Sequence, residues 1–135
     1  MKFYFAGAIR AGREKLDIYI KINELLEKYG EILDKHVANP NVNIMEKNNS
    51  LEEIYNRDVK WIEECDIVVA EVSTPSLGVG YEISYAENLG KRIICICDEN
   101  INLSAMIGGN KYFELIKYKD ANDLVSKLET KIGKQ

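Results

Sequence analysis

No apolar run in this chain of 135 residues reaches the roughly 20 residues of a membrane-spanning helix. The opening "MKFYFAGAIR" is too short in its apolar part for a secretory signal, so the sequence points to the cytoplasm and to no membrane partner. Positive charge is scarce: 18 basic residues against 22 acidic ones leave a formal charge of −4, which excludes a broad cationic surface for a nucleic-acid polymer. A short ligand bearing one phosphate is still compatible, because it needs only a local pocket. The three cysteines, Cys65, Cys95 and Cys97, sit in or beside strand-like apolar runs, where alternate residues face opposite sides. They read as small buried hydrophobes, and no zinc site is expected. Repeats and low-complexity segments are also missing, and 46% apolar with 30% charged residues is the composition of a folded domain. The length suits one domain spanning 1–135.

Short apolar runs alternate with longer helical patterns, which predicts an α/β fold with a parallel sheet. Strands are expected at 2–7, 31–37, 66–72, 92–98 and 112–118, and helices at 11–29, 50–64, 79–89 and 120–132. Gly30 and Gly90 read as glycines closing the first and third helices. The segment "HVANPNVNIMEKNN" reads as the one long loop.

In such sheets ligands sit beyond the carboxyl ends of the strands. After the first strand comes "GAIRAGR", whose glycines and arginines suit an anion site at a helix start, although it is neither a Walker loop nor G-x-G-x-x-G. It could equally be a turn and no more. After the third strand comes "EVSTPSLGVGYE", where Ser76 can cap the helix that follows or share its amides with a phosphate. Two acids break apolar helical stripes. Glu82 shares a face with Ile83, Ala86 and Leu89, and Asp58 lies in the series Leu51, Ile54, Tyr55, Trp61, Ile62 and Cys65. A lone acid in a stripe is ordinarily paired or at an edge, but two beside one central strand can divide labour between a nucleophile and a general acid. Tyr4, on the first strand, is either a core aromatic or the holder of a site carboxylate. His36, the only histidine, is either a loop residue or a pocket donor. Trp61 reads as core.

In order and with close spacing, "FYFAGAIRAGRE", "HVA", "RDVKWIEECDIVVAEVSTPSLGVGYEISYAENLGKRIICI" and "LSAMIGG" resemble the 2'-deoxynucleoside 5'-phosphate N-hydrolases of the nucleoside 2-deoxyribosyltransferase superfamily. The resemblance implies a Rossmann-like (flavodoxin-like) three-layer fold with a five-stranded parallel sheet. It implies a homodimer that cleaves the base–sugar bond of deoxynucleoside 5'-monophosphates, with no metal or organic cofactor. Glu82 would be the nucleophile that forms a glycosyl intermediate, Asp58 the proton donor or sugar anchor, and Tyr4 the group orienting Glu82. The substrate phosphate would lie against Gly7, Ala8, Ile9, Arg10, Gly12, Arg13, Ser76 and Gly78. Ser104, with Ala105 and Met106, would reach in from the partner subunit, and His36 would line the base side.

For that chemistry Glu82 must be ionised, and Asp58 is expected to carry the raised proton affinity, since like charges push one carboxyl toward neutrality. The chain departs from the family's usual G-S-I-R-G-G-R by Ala8 and Ala11, losing one hydroxyl of about 0.5–1.5 kcal/mol for phosphate. Transferases that use unphosphorylated nucleosides have aspartate where Ser76 stands, so Ser76 favours a nucleotide. The alternatives are a deoxyribosyltransferase, a hydrolase of ribonucleotides such as CMP derivatives, and a non-catalytic nucleotide sensor.

Overall fold

The apolar runs and amphipathic stretches resolve, in the computed structural model, into a layered α/β chain described over residues 1–9 and 15–133. The strands are β1 (Lys2–Ala6), β2 (Glu31–Ile32), β3 (Ile67–Glu71), β4 (Arg92–Asp98) and β5 (Glu114–Tyr118). The helices are α1 (Leu16–Leu26), α2 (Val42–Met45), α3 (Leu51–Glu64), α4 (Leu77–Asn88), α5 (Ala105–Gly108) and α6 (Ala121–Gly133). All five strands are parallel, in the order β2-β1-β3-β4-β5. That order reverses direction between β1 and β3, where an open α/β sheet has its crevice.

Both sheet faces are covered, which explains why β3 and the centre of β4 are apolar without alternation. On one side Phe3, Phe5, Val69, Ile94 and Ile96 pack with Tyr19, Ile22 and Leu26 of α1 and Leu124, Leu128 and Ile132 of α6. On the other, Tyr4, Ala6, Val68, Ala70 and Ile93 pack with Ile62 of α3 and Val79, Ile83 and Ala86 of α4. The larger of these side chains contribute about 1.5–3 kcal/mol each. All three cysteines are buried and free. No described helix is long and apolar enough to cross a membrane.

The second strand is far shorter than the expected 31–37. Leu33 N–H still reaches Phe3 O at 2.9 Å, but the next β1 amide, that of Phe5, is taken by the Asp34 side chain at 2.8 Å. With its ladder partner replaced by a carboxylate, the chain turns into a 3-10 helix at Lys35–Ala38. The supposed long loop then folds into that turn and α2, with Val42 and Glu46 buried. Gly90 closes α4 with φ +73°, as its position predicts. Gly30 has no such φ; a Cβ there would sit 2.1 Å from Met1 O, so close approach of the β1 start is what demands glycine.

Candidate active site

The crevice side of β1 and β3 receives two helices whose starts are set by serines. Ser50 caps α3 in a capping box, accepting Glu53 N–H at 3.0 Å while the Glu53 carboxylate accepts Ser50 N–H at 2.8 Å. Ser76 caps α4, accepting Val79 N–H at 3.3 Å, so α4 begins two residues earlier than its apolar pattern suggests. Six residues on from Ser76, a turn and a half brings Glu82 to the flank of α4 that faces α3.

There the Tyr4 hydroxyl donates to Glu82 Oε2. Tyr4 itself is 1% exposed, so the one polar atom of a core aromatic is spent on this carboxylate. Glu82 and Asp58 line the same cavity, of about 280 Å³, with Tyr55, Val59, Ile62, Gly78 and Tyr81. Burial pushes the Glu82 carboxyl up to about 7; Tyr4's hydrogen bond opposes this and the charge of Asp58 adds to it. Asp58 is raised too, by burial first, against Arg57, whose Nε donates to Asp58 Oδ1 at 2.9 Å. The expectation that Asp58 alone would carry the raised affinity is therefore corrected. The larger lift belongs to Glu82, because Asp58 has a guanidinium hydrogen-bonded to it and Glu82 has a neutral phenol.

A charged cluster continues from Asp58. Arg57 Nη2 reaches Glu46 Oε2 at 2.5 Å and lies 3.1 Å from His36 Nε2, which is 3.0 Å from Glu46 Oε2. Burial and then Arg57 lower the His36 affinity for a proton, which keeps the ring neutral at neutral pH. Trp61, expected in the core, packs against it half-buried, under Arg57 at 4.9 Å and beside His36 at 5.7 Å between ring centroids. The α3 stripe is likewise buried only at its end, at Ile62 and Cys65, while Leu51 and Tyr55 are exposed.

Of the first-strand turn, Gly7, Ala8 and Ile9 are described, and Arg10, Gly12 and Arg13 lie outside the described residues. A Cβ on Gly7 would meet Phe5 and Tyr19 ring carbons at 2.9–3.0 Å, so only glycine fits. Ala8 is buried and its N–H is held by Tyr19 Oη at 2.8 Å; Ile9 packs against the α1 side of the core. Ser104 caps α5 through Met106 N–H at 3.2 Å. With Met106 it lines a cavity of about 620 Å³ that also reaches Ser76, on the other flank of α4 from Glu82. Ala105 is exposed beside them.

Three participants escape a reading by motif. Arg57 adjoins Asp58 and is visible in sequence only as that neighbour. Glu46 lies in the stretch read as loop. Asp34 does leave a signal, an acid within the apolar run "EILDKHV".

Comparison with known proteins agrees with this geometry. Residues 3–125 match the family described as Nucleoside 2-deoxyribosyltransferase. A 5-hydroxymethyl-dUMP N-hydrolase from Esox lucius is 37% identical over 130 residues, covering 89% of this chain and 88% of that protein. A Nematostella vectensis protein with the provisional name 2'-deoxynucleoside 5'-phosphate N-hydrolase 1 is 39% identical over 140 residues, covering 97% and 95%. The solved Clostridium botulinum CMP N-glycosidase, BcmB, superposes with a TM-score of 0.69 at 26% identity, covering 96% and 99%.

Proposed function

The chain belongs to the nucleoside 2-deoxyribosyltransferase family, and from that premise we propose that it is an N-glycosidase hydrolysing 2'-deoxynucleoside 5'-monophosphates to free base and 2-deoxyribose 5-phosphate. The observation that carries the reading is Glu82, held by Tyr4, opening on one cavity with Asp58. N-hydrolase relatives that align along nearly the whole chain support it.

In the proposed reaction the ionised Glu82 carboxylate attacks the anomeric carbon as the bond to the base breaks. The proton that the Glu82–Asp58 pair shares lies on Asp58 in the reacting form; the bonding pair leaves with the base, which takes that proton. Water then attacks the anomeric carbon, the glycosyl ester bond breaks, Asp58 recovers a proton from that water, and Glu82 is released as carboxylate. Oxocarbenium character in both steps is stabilised by the nearby negative charge. Tyr4 orients Glu82 and, by donating to it, eases its ionisation. His36 lines the base side, and the turn from Gly7 to Arg13, including Ile9, Arg10 and Gly12, holds the phosphate with Ser76 and Gly78. The chain works as one domain and as a homodimer in which Ser104, Ala105 and Met106 serve the partner's site. In favour of pairing, Tyr55 and Tyr81 at the cavity are half-exposed, and Leu51 and Leu77, one helical turn before them on α3 and α4, are exposed, Leu77 to 98%.

A second reading, cleavage of ribonucleotides, is favoured by the similarity to the CMP N-glycosidase. Incubating the protein with deoxynucleoside and ribonucleoside 5'-monophosphates and with nucleosides, with and without an acceptor base, separates the readings by the base released. Base from deoxynucleotides, lost in Glu82→Ala, is the expected result, with kcat/KM falling as pH rises through about 7, where the Glu82–Asp58 pair loses the proton it shares. Release only from ribonucleotides would transfer the assignment to them, and release only with an acceptor base would make the protein a transferase.

A further inference from the structure

Asp34 occupies an expensive position. It is fully buried, its Oδ1 accepts the Phe5 N–H at 2.8 Å, and its equally buried Oδ2 has no hydrogen-bonding partner among the described residues. Burial drives the carboxyl well above the ordinary carboxylate range, with Glu82 and Asp58 adding to the lift and the Phe5 amide opposing it. An orphaned buried polar atom is destabilising, so the position is a poor choice on stability grounds alone.

Its connections account for the choice. Two residues beyond Asp34, within the 3-10 turn, His36 Nε2 lies 3.1 Å from Arg57 Nη2. Arg57 Nε donates to Asp58 at 2.9 Å, and Asp58 faces Glu82 across the 280 Å³ cavity. Glu82 accepts from Tyr4, and the residue after Tyr4 is Phe5, whose amide is bound by Asp34. These hydrogen bonds and the intervening chain connect Asp58 with Glu82 behind the cavity, and Asp34 is the link between the two halves.

We propose that Asp34 is a positioning residue for this site: its buried carboxyl ends β2, hangs the His36 turn on the β1 backbone beside Tyr4, and so fixes the Arg57–Asp58 wall relative to the Tyr4–Glu82 pair. The proposal rests on the reading of Glu82 and Asp58 given above. Asp34 is faced by Tyr4 from β1, Asp58 from α3, Glu82 from α4 and Cys65 at the end of α3. In that company it acts as a neutral acid, so that no further negative charge stands beside the ionised nucleophile. Where rising pH ionises Asp34, that charge is added next to a cavity meant for an anionic ligand, and KM climbs.

The test uses the full chain and two variants. Asp34→Asn keeps an oxygen for the Phe5 amide but cannot ionise; Asp34→Ala loses both. With a deoxynucleoside monophosphate, Asp34→Ala is expected to lower kcat about tenfold, because the Asp58 wall and the Tyr4–Glu82 pair lose their fixed spacing in the chemical step. Asp34→Asn is expected to rescue most of that loss and to lack the climb in KM with rising pH. Carbon-13 carboxyl titration of the unliganded parent should contain one aspartate that stays protonated above the ordinary range and that disappears in Asp34→Asn. Parent-like kinetics in Asp34→Ala, a climb in KM with rising pH persisting in Asp34→Asn, or no such aspartate would overturn the proposal. If Asp34→Ala does not fold, the Asn profile and the titration decide. The titration needs no substrate, so it judges Asp34 even if the parent releases no base, and the two failures stay distinct.

Discussion

A carboxyl group whose proton affinity rises on folding makes the folded state less stable wherever the unfolded chain has already ionised. Glu82 moves from the ordinary 4.5 to about 7, so between those values the folded protein holds a proton that the unfolded chain has lost, and stability falls as pH rises through that window. Replacing Glu82 by glutamine removes the charge and keeps an oxygen for Tyr4. The Glu82→Gln protein should match the parent in stability below pH 4.5 and exceed it at pH 8, by about 1–3 kcal/mol, since each tenfold change in proton affinity is worth roughly 1.4 kcal/mol. Denaturant unfolding at the two pH values measures the gap, and equal gaps at both would refute the assignment. At this scale the sequence was informative where a residue type clashed with its pattern. Glu82 and Asp58 stand out because acids rarely sit in apolar stripes. The ranking of their proton affinities was illegible, since it depends on Arg57 turning its Nε toward Asp58.

At the scale of elements, α3 and α4 each begin at a serine, yet the two caps have different neighbours. Ser50 is exposed at the N-terminal end of α3, whereas Ser76 lines the cavity of about 620 Å³ on the other flank of α4 from Glu82. Ser50→Ala should cost about 1 kcal/mol of stability and leave KM unchanged. Ser76→Ala should cost a similar amount and also raise KM for a deoxynucleotide, because the same hydroxyl and the amides it holds serve the phosphate in the proposed site. Thermal unfolding and steady-state kinetics on both variants check the contrast; an unchanged KM in Ser76→Ala would leave the serine only its cap. The long periodic helices and the apolar strands were legible from their spacing. The shortening of β2 was not, because "EILDKHV" has the apolar content of a strand and its end is set by one side chain taking a neighbouring strand's amide. Nor was the 3-10 turn and short helix over 35–45, where Val42 and Glu46 find burial only against the rest of the fold.

At the scale of the whole molecule, Leu77 at 98% exposed, Leu51 at 71% and the tyrosines Tyr55 and Tyr81, whose hydroxyls lie 3.1 Å apart, form an apolar face on α3 and α4. Leu77→Asp, which puts a charge on that face, should convert the proposed dimer into a monomer in sedimentation without lowering the melting temperature of the monomer fold, and a dimer that survives it would place the interface elsewhere. The alternation of apolar runs with amphipathic stretches was enough to determine a parallel five-stranded sheet with helices on both faces, because burial on both sides requires continuous apolar strands and one-sided helices. Sequence also determined which residue types stood at the carboxyl ends of the strands. Tertiary structure alone decided which of them meet. Tyr4, Glu82, Asp58, Arg57, His36 and Asp34 come from four separate stretches of chain, and their contacts exist only once the sheet order brings β1 between β2 and β3. Proton affinities follow the same division, since each is set by burial and by charges distant in sequence, and neither influence is a property of the residue by itself.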